Sequence, residues 1–261
     1  MPLYTSDALI LRTYKLGEVD RIVVFLTKDR GKKRGVARGA RRARSPFAGA
    51  LEPLTSARVA YFEKERRELV SLNYAEVDCS PLSAKSRDAM AHVGYFAELI
   101  DEWAPDAHAD EKLFRLGASL VDALAKGAPI EPLARYFEYW LLRLQGVYPP
   151  QIACHQCGAN LGRKTQGAHL STRDRVFTCD RCALVAPAAP DVAGPSLSVD
   201  ALEFLRAARS VGADRVGDLA LSPAASRELE RVHRKLIGLH LEKELRSTKV
   251  LRSLKSDLPR H

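Results

Sequence analysis

Four of the five cysteines in the chain stand in two Cys-x2-Cys pairs, Cys154/Cys157 and Cys179/Cys182, with 21 residues between the pairs. No other feature restricts the fold so tightly. Two residues between thiolates let one turn offer both sulfurs to a single ion, and two such turns make the tetrahedral all-sulfur site that suits Zn2+. The gap is slightly longer than the usual ~15–20 residues. A β-hairpin between the two knuckles would absorb it, with Phe177 and the preceding Thr172–Val176 supplying a strand. Four thiolates fill the tetrahedron, so the expected zinc is structural and not catalytic. It would hold together a segment too small to fold alone. Free thiols or a thioredoxin-like redox pair are the other readings, and neither pair sits in the βαβ context the latter needs. His155 and His169 could each replace a cysteine as ligand, or be solvated surface histidines. Cys79 stands alone.

The segments around the quartet differ in period. Residues 1–78 read as five short strands: Ala8–Tyr14, Arg21–Thr27, Arg34–Arg38, Leu54–Phe62 and Leu69–Val77, separated by glycine-rich or charged turns. Five strands predict a small barrel, OB-like, although the count alone does not separate it from an SH3-like one. After Ser80-Pro81 the period becomes helical. Met90, Val93, Phe96, Ala97, Ile100 and Trp103 form one stripe, Leu113 to Leu124 a second, and Leu133, Phe137, Trp140, Leu141 and Leu144 a third. The period breaks over 147–196 and returns at Ser198. Ser222-Pro223 is a start signal, with serine as N-cap and proline at the first helical position. Leu229, Val232, Leu236, Ile237, His240 and Leu241 then share a face. The expected class is α+β: an N-terminal OB-like five-stranded β-barrel (1–78), then an α-helical domain (79–149 and 197–261), with a four-cysteine zinc module (150–196) inserted in it.

The charge is concentrated. Lys plus Arg is 41 and Asp plus Glu is 32, a net of +9. Residues 28–44, KDRGKKRGVARGARRAR, hold nine basic residues and one acid, so this window alone carries +8. Clustered Lys and Arg displace counterions from a nucleic-acid backbone. Tyr14, Phe47, Tyr61, Phe62 and Tyr74 are candidates for base stacking on a barrel face, although some must fill the barrel core. A solvated loop that only aids solubility is the bland alternative. The C-terminus, RSTKVLRSLKSDLPRH, is a second and weaker basic segment.

Several classes find no support. There is no GxxxxGK[ST], HExxH, GxSxG or strand–GxGxxG–helix, and no paired carboxylates suited to acid–base work. His92, His108, His233 and His240 are scattered. No apolar run approaches the ~20 residues of a membrane helix, and the first residues lack a signal-peptide pattern. The expected location is the cytoplasm, in association with the nucleoid, and the expected protein is not an enzyme.

The segment LGEVDRIVVFLTKDRGKKRGVARGARRARSPFAGALEPLTSARVAYF, followed by ELVSLNYAEV, resembles the N-terminal domain of the bacterial RecO family. VARGARR-x-R-S with the downstream GALEP is its most specific part. ARYFEYWLLRLQGVYP resembles the family's helix ahead of the zinc module, and ELRSTKVLRSL resembles its C-terminal end, so the likeness runs in order along the whole chain. One departure is Gly-Val-Tyr where the family commonly has Gly-Tyr, which shifts an aromatic by one residue.

The resemblance implies an OB fold, a helical domain and a zinc module. It further implies binding to single- and double-stranded DNA, annealing of strands coated with single-stranded DNA-binding protein (SSB), and a complex with RecR that helps load RecA. The family's basic surface maps onto Lys32, Lys33, Arg34, Arg38, Arg41, Arg42 and Arg44. The SSB C-terminal tail, acidic with a terminal aromatic, would dock at Arg135 beside Tyr139, where the alternative is a solvated helix charge. Two other functions compete: a zinc-ribbon RNA-binding or ribosome-associated factor, and a nuclease built from scattered acids.

Overall fold

The computed structural model describes residues 2–64, 67–83, 86–162, 166–185, 194–248 and 250–251. The Pro/Ala-rich stretch at 186–193 and the basic C-terminus from 252 onward lie outside the described residues. Five strands, β1 (Leu3–Leu16), β2 (Asp20–Thr27), β3 (Gly31–Ala37), β4 (Ser56–Phe62) and β5 (Leu69–Cys79), close into a barrel in the order β1-β2-β3-β5-β4. The strand β1 closes it by pairing twice. Leu3–Leu9 runs antiparallel to β4, and Ala8–Leu16 antiparallel to β2. The β3–β5 pair is parallel, a step that a simple meander cannot make and that marks the Greek-key OB-like arrangement.

A bulge in β1 between Ile10 and Arg12 inserts one residue opposite β2. Bulges bend a strand and change which face its side chains take. Ile10 points into the barrel, paired with the core residue Phe25; past the bulge, Thr13 pairs with the core residue Val23. Arg12 and Tyr14 therefore lie on the outer face. The interior is filled by Ala8, Ile10, Val23, Phe25, Val59, Tyr61, Val70 and Leu72. Phe47, Ala50 and Leu51, from the long β3–β4 connection, plug one end. Gly35 lies on the inner side, where an added Cβ would collide with Leu72 Cδ1, so a larger residue would displace core.

The structure divides into two compact units, Met1–Gly127 with Glu244–His261, and Ala128–Lys243. In the first, α1 (Arg87–Trp103) and α2 (Glu111–Ala125) follow the barrel, capped by Ser86 accepting from Ala89 N and Asp110 accepting from Leu113 N. Each such cap contributes about 1 kcal/mol. The helix α2 comes close to β1 at Gly117, where an added Cβ would lie 2.6 Å from Leu9 Cδ1. The segment after α1 adds to the edge of β3: Lys32 N donates to Pro105 O and Ala107 N to Lys32 O. The returning C-terminal residues are held by buried Glu98, which accepts from Arg246 N (3.2 Å) and Ser247 N (2.7 Å). Burial works against the Glu98 carboxylate, but these backbone donors and Arg12 outweigh it and lower its pKa.

The second unit contains α3 (Ile130–Leu144), the hairpin β6 (Ala168–Ser171) and β7 (Val176–Cys179), α4 (Asp180–Val185), β8 (Ser196–Leu197), α5 (Val199–Ala207) and α6 (Pro223–Leu241). The helices α3 and α6 pack through Leu133, Phe137 and Leu141 on one side and Leu229, Val232, Leu236 and Ile237 on the other. Fully burying each such side chain is worth about 1.5–3 kcal/mol. Ser222 caps α6 by accepting from Ala225 N, with Pro223 at the first position. His240, expected on the apolar face of α6, is exposed, and His233 occupies the core instead. The end of α3 is a Schellman turn: Gly146 (φ +68°) donates to Arg143 O and Val147 to Leu142 O. This turn delivers Tyr148 into the core, 5.2 Å from the Tyr139 ring and 6.1 Å from Phe177, which settles the shifted aromatic.

Gly31 has φ +70°, and a Cβ there would collide with the His108 carbonyl oxygen. Backbone cannot yield as a side-chain tip does, so Gly31→Ala is expected to destabilise the first unit by about 2 kcal/mol or more. The check is a lower urea midpoint at unchanged slope; an unchanged midpoint would show that the 104–108 segment is not seated on β3.

Candidate nucleic-acid interface and metal centre

The basic window is divided by the fold into neutralised and open charges. Lys32 and Lys33 lie on β3 with side chains only 11% and 13% exposed. Lys32 Nζ lies 3.4 Å from Asp101 and 3.7 Å from Asp106, and also donates to the Asp101 carbonyl; Lys33 Nζ is 2.7 Å from Glu63. Arg30 stacks on Tyr4 with its guanidinium 3.7 Å from the ring centre. By contrast Arg34, Arg38, Arg41, Arg42 and Arg44 are all exposed. Among the described residues none of these five has an ion pair, and no acid occurs between Arg38 and Leu51.

The turn carrying Arg38–Arg44 is fixed to the β1–β2 hairpin. Gly39 N donates to Asp20 Oδ1 (2.7 Å), Arg41 N to Val19 O (2.9 Å) and Arg41 Nη1 to Glu18 O (2.8 Å). A positive φ at Gly39 (+67°) makes the turn. The result is a fixed cluster of cations at one end of the barrel. Of the candidate stacking aromatics, Tyr61 and Phe47 are buried in the core and Phe62 is half-buried, while Tyr14 and Tyr74 are exposed.

Beside this turn, the outer face of β1, β2, β3 and β5 forms a groove of about 470 Å³. One wall carries Asp101 and Glu102 at the end of α1, with Lys32 against Asp101. Both acids are engaged by Arg12, at 2.6 Å and 3.3 Å. Burial lowers the Arg12 pKa, but Asp101, a hydrogen bond with Tyr14 and the charge of Glu98 outweigh this and raise it. These acids give no signal in the sequence beyond lying at the end of a predicted helix.

In the second unit the four expected sulfurs come together. Cys154, Cys157, Cys179 and Cys182 place Sγ atoms that all lie within 4.8 Å of one another, Cys157 and Cys179 at 3.9 Å. Tetrahedral Zn–S bonds of about 2.3 Å require S···S separations of about 3.8 Å, so the donor set fits and could hold a metal ion. A hairpin does lie between the knuckles, but of the expected strand segment only Val176 and Phe177 fall in β7, and Thr172–Arg175 form the turn. The sulfurs divide between one that favours the thiolate, Cys154, and one that holds its proton, Cys182. Burial raises the Cys154 pKa, but backbone N–H groups of Cys179, Cys157 and Gln156 outweigh it and lower it to about 6. Hydrogen bonds to Cys179 and Cys157 push Cys182 up to about 12. Among the described residues the cluster contains no histidine: His155 is exposed, and His169 lies 3.4 Å from Asp180.

Arg135 and Tyr139 lie inside the second unit, 2% and 0% exposed. Arg135 Nη2 is 3.1 Å from Glu138 Oε1, and Glu138 Oε2 is 2.9 Å from Nδ1 of fully buried His233. Neither a docking surface nor a solvated charge is found at Arg135; it belongs to a buried ionic cluster joining α3 to α6. The spacing of Leu229, Val232, His233, Leu236 and Ile237 on one helical face is the sequence signal for His233.

An OB-like barrel with an exposed arginine cluster, joined to helices and a four-cysteine hairpin, defines a protein of the nucleic-acid-binding class. Comparison with known proteins narrows this. The family described as "Recombination protein O N terminal" matches residues 1–79, and "Recombination protein O C terminal" matches residues 84–249. Proteins named DNA repair protein RecO are similar along most of the chain. That of Syntrophus aciditrophicus is 30% identical over 95% of both chains, and that of Geobacter sulfurreducens 32% identical over 95% of this chain and 97% of its own. That of Koribacter versatilis is 41% identical over 61% of this chain and 65% of its own. The chain belongs to the recombination protein O family.

The buried cluster sets a pH dependence. Burial lowers the His233 pKa below its ordinary 6.5, with Glu138 opposing and Arg135 adding to the drop. The unfolded chain therefore binds the proton first. Stability is full above 6.5 and is lost as pH falls from there towards the folded-state pKa. Urea midpoints measured from about pH 7.5 to about pH 5 should fall, and His233→Gln should flatten that part of the slope. Glu138→Ala, which takes from buried Arg135 and His233 the carboxylate they share, should cost about 3–5 kcal/mol.

Proposed function

We propose that this protein is a DNA repair and homologous-recombination mediator. It binds single- and double-stranded DNA, anneals complementary strands coated with SSB and, with RecR, helps load RecA. The observation that carries the reading is the acid-free arginine turn, Arg38 to Arg44, fixed and exposed at one end of the barrel. The mechanism is charge neutralisation, with no bond made or broken. Each phosphate matched by an arginine releases counterions, and cations placed between two strands reduce the repulsion that opposes annealing. Arg34, Arg38, Arg41, Arg42 and Arg44 are the working cations. Lys32 and Lys33, held by Asp101 and Glu63, serve the barrel's own stability. SSB is the proposed partner that brings the protein to coated DNA. Because Arg135 and Tyr139 are enclosed, its acidic tail is not assigned to that pair. The working site is the cytoplasm, at the nucleoid.

The metal would be a structural zinc on Cys154, Cys157, Cys179 and Cys182, holding residues 150–196 as a module within the helical part of the chain. It would replace the protons these thiols share and cross-link the two knuckles, with no open position for substrate. Elemental analysis should give about one zinc per chain. Cys157→Ser should lose the metal. A protein that folds normally and carries none would remove the zinc assignment.

The reading is tested by the annealing rate of complementary strands precoated with SSB. The protein should accelerate annealing, and the Arg41→Ala/Arg42→Ala/Arg44→Ala variant should lose most of that gain. The same variant should bind duplex DNA with a log–log salt slope shallower by about 2–3 units. An unchanged slope removes the turn from the interface. A preference for RNA over DNA of equal length would instead favour a zinc-ribbon RNA-binding factor.

A further inference from the structure

The four sulfurs of the metal centre are not equivalent. Cys154 and Cys179 are buried, at 2% and 0% exposure, Cys182 is half-buried and Cys157 is exposed. Each knuckle thus contributes one inner and one outer sulfur. Backbone hydrogen bonds fix the inner side. Cys154 N donates to Ala159 O (2.8 Å), Gly158 N to Cys154 O (2.8 Å) and His155 N to Phe177 O (2.8 Å), while Cys179 N donates to Cys154 Sγ (3.4 Å). The first knuckle is therefore seated on β7 by its own backbone. The outer side has no such cover: His155, Gln156, Gly158, Ala159 and Asn160 are all exposed together with Cys157. On the other knuckle, Cys182 Sγ lies within 4.8 Å of Cys157 Sγ. The fifth cysteine, Cys79, belongs to the first unit and is half-buried.

We propose that Cys157 is an oxidation site, at which a hydroperoxide is reduced and a disulfide forms between Cys157 and Cys182 of the opposite knuckle. The proposal rests on the zinc reading above and deepens it. A sulfur held as thiolate is the nucleophile, and exposure decides which one an oxidant meets first. The Cys157 sulfur attacks one peroxide oxygen, the O–O bond breaks, and the other oxygen leaves with a proton, as water when the oxidant is hydrogen peroxide. Cys157 is then a sulfenic acid, the reversible first step of thiol oxidation. The Cys182 sulfur attacks it, the S–O bond breaks, and the oxygen leaves as a second water. Two electrons have passed from the two sulfurs to the peroxide, and one S–S bond has formed. Only two thiolates remain, too few for a tetrahedral site, so the metal is released unchanged in oxidation state. The inner sulfurs are spared, because reaching Cys154 or Cys179 requires opening the hairpin. The new bond joins the same two knuckles, so the module exchanges one cross-link for another and stays closed. A dithiol reductant reverses the exchange. The arginine turn contains no cysteine and takes no part in it.

The test uses the full reduced chain loaded with zinc, limiting hydrogen peroxide, a chromogenic zinc chelator and dimedone, which traps sulfenic acid. Zinc should be released with the loss of about two thiols per ion. Peptide mapping should find the Cys157–Cys182 link, and the oxidised chain should keep a cooperative urea transition. Dimedone should mark Cys157 roughly ten-fold more than Cys154 or Cys179. Cys182→Ser should abolish the link and raise the dimedone label on Cys157, whereas Cys79→Ser should release zinc at the wild-type rate. Dithiothreitol with added zinc should restore the starting state. A link or label centred on Cys154 or Cys179, zinc release with every thiol intact, or a quartet that survives peroxide while Cys79 reacts would each overturn the proposal. A chain isolated without zinc removes the zinc reading, and the dimedone map still decides the rest: label on Cys157 keeps the oxidation site, and label elsewhere removes it.

Discussion

The single extra residue in β1 between Ile10 and Arg12 is the constraint on which the first unit depends. A strand that must pair with β4 at one end and β2 at the other cannot stay flat, and the bulge provides the bend. It also changes what faces outward. Before it, β1 alternates between barrel core and the apolar layer beneath the helices. After it, Arg12 and Tyr14 stand on the outer face. Arg12 is then available to gather Asp101, Glu102 and Glu98, which ties the end of α1 to the barrel.

The chain handles its positive charge in two ways. Where lysines fall on β3 they are matched at close range by carboxylates from other elements, so the barrel surface there is locally neutral. Where arginines fall in the β3–β4 connection they form no ion pair among the described residues, and the turn is pinned by hydrogen bonds from Gly39 N to Asp20 and from Arg41 to Val19 and Glu18. Pinning matters to affinity, since a turn that is already fixed has less freedom to lose on binding. The second unit buries its charge. Arg135, Glu138 and His233 trade desolvation for mutual attraction, an arrangement that contributes little net stability but is costly to break at one member.

Much of this is legible in the sequence. The five strands, the helical stripes and the four-cysteine hairpin follow from local period and spacing, because each is decided by residues within a few positions of one another. The barrel type does not, because the parallel β3–β5 pair joins segments that local pattern cannot relate. The seven basic residues that read as one surface are two sets for the same reason. Lys32 meets Asp101 across 69 positions and Lys33 meets Glu63 across 30, and linear charge counting does not see such partners. Arg135 misleads because a lone arginine on an apolar stripe looks like a snorkelling surface charge. Its carboxylate, Glu138, is one turn away, but the histidine completing the cluster is 95 positions on from Glu138.

The grip of Glu98 on the backbone of Arg246 and Ser247 means that the first unit is finished by residues that follow the whole of the second. During synthesis at about 5–20 residues per second, the ribosome must complete all of Ala128–Lys243 before that carboxylate meets its donors. For roughly 6–23 s the barrel and its helices exist with Glu98 facing Arg12 but lacking its backbone donors. The order of manufacture thus makes closure of the first unit a signal that the second has been made.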